Sequence, residues 1–136
     1  MQNETSLLAS GEDEYMNEEQ LAFFRARLER ARDELQARPV ALEVQGQDLM
    51  AAADPTDRAT MEEERTATLM DRQRQSERLR EIAAALRRIE EGEYGYCEVT
   101  GEPIGLQRLL AYPTARLSLE AQHALEHTQR FVIRAA

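Results

Sequence analysis

The residues Asp54-Pro55-Thr56-Asp57-Arg58-Ala59 form a short acidic stretch between two long segments with helical spacing. The first segment runs from about Asn17 to Ala53, and the second from about Arg58 to Glu91. Two helices of similar length, joined by a loop of about four or five residues, are expected to fold back antiparallel. Each arm of about 35 residues would make a rod on the order of 50 Å long. The sequence therefore predicts a thin helical hairpin with an acidic tip.

The composition narrows the class of protein. The chain has 136 residues, a single-domain length, with a net charge of −9 and only 5% aromatic residues. This balance argues against direct nucleic-acid binding and favours a protein partner with basic surfaces. No apolar run is long enough to span a membrane, no signal sequence is visible, and the single cysteine excludes an internal disulfide. We expect a cytoplasmic monomer that does not bind membranes.

The first helical segment has a clear beginning and a weaker distal half. Asn17 is a good N-cap, and Gln20 occupies the capping-box position. Pro39 is expected to bend the helix, and Gly46 weakens the same half. A leucine at every seventh position predicts a coiled-coil seam. These leucines are Leu21, Leu28, Leu35, Leu42 and Leu49.

The second segment carries the matching seam. Its apolar positions near the base are Leu79, Ile82, Leu86 and Ile89. The same register continued towards the tip meets polar residues at Gln75, Arg72, Thr68 and Arg65 before Met61. We therefore expect a hairpin over residues 15–91 that is well packed at its base and polar along its outer half.

The flanking regions differ in composition. Residues 1–14 are polar and acidic and predict a mobile tail, with a short helical turn around Leu7 and Leu8. Residues 92–118 hold four of the six glycines and two of the four prolines, which predicts tight turns and small strands. That module is too small to fold alone. Residues 119–136 predict a C-terminal helix, capped by Ser118, that packs on the globular part.

Several motifs, in order and with matching spacing, resemble the DksA/TraR family of bacterial transcription factors. The similarity runs from about Tyr15 to Gln129. The motifs are Tyr15-Met16-Asn17-Glu18, Asp54 to Ala59, Gly95-Tyr96-Cys97-Glu98, Ile104-Gly105, Arg108-Leu109 and Pro113-Thr114-Ala115. The resemblance implies a mainly α fold, with a long antiparallel coiled-coil hairpin, a small zinc-finger-like domain and a C-terminal helix.

The resemblance also implies a function. Proteins of this family bind RNA polymerase directly and insert the coiled coil through the secondary channel, and the alarmone ppGpp strengthens their effect. By this resemblance Asp54, Asp57 and Ala59 act at the tip, and Arg74 contacts the polymerase. The alternative role of both aspartates is capping, of the turn by Asp54 and of the second helix by Asp57. For Asp54 capping and function stay equally open, whereas for Asp57 we favour the functional role.

The family's four-cysteine zinc site is degenerate in this sequence. Its positions correspond to Cys97, Thr100, Ser118 and Ala121, which cannot make a structural zinc site. His123 and His127 lie on a later helix and do not restore it. We expect a zinc-independent member with no metal, whose module is held by apolar contacts. The expected contact residues are Val99, Ile104, Leu106, Leu109, Leu117, Leu119 and Leu125.

Two further points stay open from the sequence. Cys97 is either a partly buried relic or a redox-sensing thiol, and the latter needs a lowered pKa and exposure. Where relatives offer basic residues to ppGpp, this chain has Glu81, Tyr112 and Gln122, which are not cations. Either the response to ppGpp is weak or other arginines compensate. The candidates are Arg78, Arg80, Arg108 and Arg116.

Other functions explain less of the sequence than polymerase binding does. A plain coiled-coil adaptor explains the heptads but not an acidic tip joined to a degenerate zinc module. An enzyme using Asp54 and Asp57 as metal ligands would need a pocket and further ligands, which an exposed turn lacks. We therefore expect no catalytic residues.

Overall fold

The computed structural model describes residues 4–8, 14–38 and 54–135. The described chain is mainly helical, as predicted, and the only β pairing within it is an isolated antiparallel bridge between Tyr96 and Pro103. The helices are α1 (Glu4–Leu8), α2 (Glu18–Ala37), α3 (Pro55–Glu91), α4 (Leu106–Ala111) and α5 (Leu119–Ala135). Among these residues no helix has the length and apolarity needed to cross a bilayer.

Part of the predicted first arm cannot be compared with the structure. Pro39, Gly46, Leu42 and Leu49 lie outside the described residues, as does the rest of the stretch 39–53. The bend at Pro39 and the distal half of the seam therefore stay predictions.

The start of α2 follows the capping prediction. The Asn17 side chain accepts a hydrogen bond from the Gln20 backbone N–H at 2.8 Å, and the Asn17 carbonyl accepts from Leu21 at 2.9 Å. Gln20 reaches back as expected, but its Oε1 atom accepts from the Met16 N–H at 2.7 Å rather than from Asn17. Met16 itself has a positive φ of 56°. The reciprocal pair of bonds fixes where the helix begins.

Chain contacts divide the protein into two units, of which one is Arg32–Arg80. Within it, the Gln75 side chain donates to the Leu35 carbonyl at 2.7 Å, and Arg38 pairs with Asp71 at 3.4 Å. Residue numbers rise on one helix as they fall on the other, so the helices run antiparallel here. The predicted seam positions of α3 in this unit are half-buried except Arg65. Two polar contacts thus join the two arms in this unit.

The other unit comprises Met1–Ala31 and Glu81–Ala136. The Phe24 ring packs against the Tyr94 ring, with centroids 5.6 Å apart, and Tyr94 is only 1% exposed. At the predicted base of the seam Ile82 and Ile89 are buried, and Ala85 between them in the sequence is buried as well. The remaining buried apolar residues of this core are Leu7, Leu28, Cys97, Ile104, Leu109 and Leu117.

The N-terminal stretch contributes to this core. The helical turn predicted around Leu7 and Leu8 is present as α1, and Leu7 is fully buried. Glu4 lies 3.7 Å from the Arg27 guanidinium on α2. Two adjacent leucines in a polar sequence gave no periodic signal of burial, and the extent of a tail over residues 1–14 stays a prediction.

The segment 92–118 differs from its prediction in two respects. The small strands are wrong for the described chain, since only the Tyr96–Pro103 bridge forms, and residues 106–111 form α4, which was not predicted. A six-residue helix shows no usable periodicity. The predicted apolar replacement for zinc is also only partly right. Ile104, Leu109 and Leu117 are buried, but Val99, Leu119 and Leu125 are 74%, 53% and 41% exposed.

The Tyr15 hydroxyl connects three parts of this unit. It donates to the Gly95 carbonyl at 2.6 Å and accepts from the Gly105 N–H at 3.0 Å. A Cβ on Gly95 would lie 2.7 Å from the Met16 sulfur, and Gly95 has a φ of +91°. Close approach of the Tyr15-Met16 stretch therefore requires glycine at this position.

Tyr15→Phe should lower the free energy of unfolding by about 1–3 kcal/mol, because two backbone groups lose a shared partner. Urea unfolding followed by circular dichroism measures the change. Tyr112→Phe is the matched control, since Tyr112 is 63% exposed and surface changes usually stay within about 0.5 kcal/mol. Equal stability of the two variants would contradict the role of the Tyr15 hydroxyl.

Candidate functional site

The acidic stretch is the beginning of α3 rather than a free turn. Helix α3 starts at Pro55, earlier than the predicted start near Arg58. The Asp54 carboxylate accepts the Thr56 N–H at 3.0 Å, and its carbonyl accepts the Arg58 N–H at 3.1 Å. Aspartate at the N-cap followed by proline at the first helical position is a strong helix start. Asp54 is therefore the capping residue.

The alternative that Asp57 caps the second helix is wrong. Asp57 lies within the first turn of α3, where a negative charge is favourable beside the helix N-terminus. All residues from Asp54 to Thr60 are exposed, including Ala59. The Thr60 hydroxyl donates back to the Thr56 carbonyl at 3.1 Å. The first turn thus offers the exposed Asp57 carboxylate beside a small alanine.

Arg74 lies in the same helix and the same unit as the acidic turn. Its side chain is exposed on α3. An exposed guanidinium can bind a carboxylate or a carbonyl of another protein. Within the described residues no group of three or more His, Cys, Asp or Glu side chains is arranged to hold a metal ion.

The degenerate zinc positions come together around Cys97. The Thr100 hydroxyl and the backbone N–H groups of Ser118, Thr100 and Val99 all lower the pKa of the Cys97 thiol, and the hydroxyl has the largest effect. Ser118 also caps α5 as predicted, because its Oγ accepts the Ala121 N–H at 3.2 Å. Thr100 Oγ1 accepts the Glu102 N–H at 3.2 Å. Two of the four side chains, those of Thr100 and Ser118, thus accept backbone hydrogen bonds.

This set of donors does not fit a four-cysteine zinc site. It contains one thiol and two hydroxyls, both of which already accept backbone hydrogen bonds, and Ala121 has no donor atom. Structural zinc needs four nitrogen or sulfur ligands. His123 and His127 are exposed on α5. The Thr100 and Ser118 hydroxyls at these positions therefore make local hydrogen bonds instead of belonging to a coordination sphere.

Cys97 meets one of the two conditions for a redox-sensing thiol. The Thr100 hydroxyl, helped by the Ser118 N–H, lowers the pKa of the Cys97 thiol to about 6 against the opposing effect of burial. The residue is only 3% exposed, however. A lowered pKa favours the reactive thiolate, whereas burial keeps oxidants away.

The residues that the resemblance assigns to ppGpp binding, and the arginines expected to compensate for them, are partly occupied by contacts within the chain. Gln122 donates to Glu126 at 3.1 Å, and the Arg108 guanidinium lies 5.9 Å from the centre of the Tyr112 ring. Arg108 also donates to the Leu117 carbonyl at 3.1 Å. Arg116 pairs with Glu98 at 3.3 Å. Among the candidate arginines, Arg78 and Arg80 are exposed on α3.

Sequence analysis missed Arg88, which belongs to the polar core of the module. Its side chain is 10% exposed and donates to Glu98 at 3.3 Å. Tyr94, also missed, donates its hydroxyl to the Pro113 carbonyl at 2.7 Å, and burial raises the pKa of that hydroxyl. The available signal was an arginine next to Ile89 on the apolar side of the last helical turn.

Comparison with known families gives two matches. Residues 20–89 match the N-terminal domain of the DnaK suppressor protein DksA, and residues 92–127 match the prokaryotic dksA/traR C4-type zinc finger. The chain belongs to the DksA/TraR family. The resemblance inferred from the sequence motifs is thereby confirmed, and the zinc-finger match covers the segment with only one cysteine.

Individual members of the DksA/TraR family match over most of their length. The "RNA polymerase-binding transcription factor DksA" of Caulobacter vibrioides is 43% identical over 89% of this chain and 86% of the relative. Its Escherichia coli K12 counterpart is 40% identical over 84% and 76%. The solved structure of transcription factor DksA2 from Pseudomonas aeruginosa has a TM-score of 0.75 and 43% identity, covering 94% of this chain and 99% of the other.

Asp54→Ala should fray the start of α3, because the Thr56 N–H loses its acceptor. The loss of an N-cap is worth about 1 kcal/mol, so exchange of the Arg58 amide should quicken about fivefold. Hydrogen exchange followed by NMR measures this. Asp57→Asn should change the same amide by no more than about twofold, as it removes only a dipole contribution. The reverse order would make Asp57 the capping residue.

The Cys97 thiolate should form near pH 6 in the folded protein and nearer the usual value of 9.0 in urea. Because the folded pKa is the lower one, the ionised thiol stabilises the fold fully above the unfolded pKa. That contribution is lost as the pH falls through the folded value.

Ultraviolet absorbance of the thiolate, measured against pH, gives the midpoint. Thr100→Val should raise it by removing the hydroxyl donor, whereas Thr100→Ser keeps a hydroxyl and serves as the control. An unchanged midpoint in Thr100→Val would exclude Thr100 as the main cause.

Proposed function

We propose that this protein binds RNA polymerase directly and modulates transcription initiation, with its helical hairpin inserted through the secondary channel. Its relatives in Caulobacter vibrioides and Escherichia coli are named RNA polymerase-binding transcription factors. The observation that carries the proposal is the exposed Asp57 carboxylate in the first turn of α3. Because Asp54 does the capping, Asp57 is available for a partner.

In this proposal Asp57 acts on the polymerase rather than completing an active site. A carboxylate brought near a catalytic Mg²⁺ or a mobile catalytic loop perturbs it by charge or hydrogen bonding, and such effects are stronger where water is partly excluded. Asp54 supports that position by holding the helix start. Ala59 permits close approach, since its side chain is small.

Affinity would come from other surfaces. Arg74 is exposed on α3 and can contact the channel wall. The net charge of −9 favours encounter with basic regions of the polymerase, and this attraction weakens with added salt. Loss of the Asp57 charge should therefore leave binding nearly unchanged.

We also propose that ppGpp strengthens the effect only weakly. Glu81, Tyr112 and Gln122 stand where relatives offer cations, and phosphates favour arginine or lysine. Arg108 and Arg116 already contact Leu117 and Glu98. Arg78 and Arg80, which are exposed on α3, remain candidates for replacing the missing cations in binding ppGpp.

Zinc independence is the third part of the proposal. One thiol and two hydroxyls do not fit a structural zinc site. The module should therefore keep its shape and the protein its activity when zinc is scarce.

Asp57→Asn should still bind core polymerase with an affinity within about twofold of the native chain but lose its effect on initiation, because only the acting charge is removed. Fluorescence anisotropy measures binding, and transcription in vitro from a ribosomal RNA promoter measures the effect. Glu63→Gln is the matched control, an exposed acid further along α3. It should retain both properties.

The same transcription assay has two further arms. Added ppGpp should change the effect of the native chain only slightly, and prior treatment of the protein with a chelator should not change it. Parallel loss of binding and effect in Asp57→Asn would make the tip an anchor. No binding of the native chain to polymerase would refute the proposal as a whole.

A further inference from the structure

We infer that a charged clamp centred on Arg88 and Glu98 holds together the two loops that a zinc ion would join. This inference rests on the zinc independence proposed above. In a four-cysteine site, the metal would link the turn that carries Cys97 and Thr100 to Ser118 and Ala121 at the start of α5. The clamp joins the same turn to residues 114–116, which lead directly into Ser118.

From the last turn of α3, Arg88 reaches the turn that carries Cys97 and the segment just before Ser118. Its Nη1 atom donates to Glu98 Oε1 at 3.3 Å, in that turn. Its Nη2 atom donates to the Thr114 and Ala115 carbonyls, each at 3.5 Å, in that segment. A planar guanidinium suits this arrangement because its donors diverge in a fixed fork.

Glu98 ties the loops to each other as well. Its second carboxylate oxygen accepts from Arg116 Nη1 at 3.3 Å, and its backbone N–H donates to the Arg116 carbonyl at 3.0 Å. One residue therefore makes side-chain and main-chain links across the gap. Both side-chain links are hydrogen bonds between charged groups, which are stronger than neutral ones.

The backbone of Arg88 fixes where the clamp begins. The Arg88 carbonyl accepts the N–H groups of Glu93 and Tyr94 at 2.9 and 3.1 Å. Gly92, which directly precedes Glu93, has a φ of 76°. This is the arrangement by which glycine ends a helix and turns the chain. The same residue thus directs the chain into the module with its main chain and secures the module with its side chain.

Burial makes the clamp sensitive to the loss of one partner. Arg88 is 8% exposed as a residue, whereas the Glu98 side chain is 42% exposed. Removing the negative charge leaves a nearly buried cation without a charged partner, which is costly. Removing both charges leaves no unpaired cation. The two kinds of variant should therefore behave differently.

Hydrogen exchange in the full chain tests the inference at four loop amides. Those of Cys97, Glu98, Gly101 and Ala115 all donate to carbonyls within the module. Glu98→Gln should quicken their exchange about tenfold or more, because a buried cation is left poorly paired. Glu102→Gln, an exposed acid of the same module, should change it by no more than about twofold.

The double variant Arg88→Met, Glu98→Gln should exchange more slowly than Glu98→Gln, because methionine fills the space without an unpaired charge. The clamp is refuted if Glu98→Gln matches Glu102→Gln, or if the double variant is looser than the single one. If Glu98→Gln does not fold, Arg88→Met is compared with Arg87→Met, an exposed neighbour, and equal exchange in these two refutes the clamp.

A chelator arm separates this inference from the proposed function. If a chelator quickens loop exchange in the native chain, zinc independence fails. If the native chain is unaffected by the chelator while Glu98→Gln matches its control, the clamp alone fails.

Discussion

The segment 92–118 has to be held from outside, and this constraint shapes the unit around it. It is too short to enclose a core of its own. Tyr94 therefore packs on Phe24 of α2, the Tyr15 hydroxyl holds Gly95 and Gly105, and Arg88 reaches two loops from α3. The Tyr94 hydroxyl also donates to the Pro113 carbonyl, so each of these three long side chains places a polar atom against a backbone group or a charged partner.

The match to a C4-type zinc finger over residues 92–127 acquires a physical meaning from these contacts. A family can keep the path of a loop while its metal ligands are replaced, provided that other interactions supply the links. Apolar packing alone does not do this here, because Val99, Leu119 and Leu125 stay exposed. Hydrogen bonds of Glu98 with Arg88 and Arg116 join neighbouring parts of the chain.

At the other end of α3, a difference of one helical turn separates two aspartates of the same type. Asp54 precedes the helix, and its oxygen atoms accept hydrogen bonds from backbone N–H groups. Asp57 lies inside the first turn and is exposed. The sequence alone allowed either residue to cap. The hydrogen bonds that Asp54 accepts from the Thr56 and Arg58 N–H groups settle the assignment, and Pro55 at the first helical position suits that arrangement.

The sequence by itself determined the helical character of the chain, the caps at Asn17 and Ser118, and membership in the family. Local hydrogen bonding and seven-residue spacing are properties of neighbouring residues, and motifs are read directly. Only the tertiary structure decided that Leu7 is buried, that residues 106–111 are helical, and that Arg88 meets Glu98. Those outcomes depend on which distant segments of the chain lie together. A pair of adjacent leucines, a six-residue helix or a single arginine shows no periodic pattern from which its contacts could be predicted.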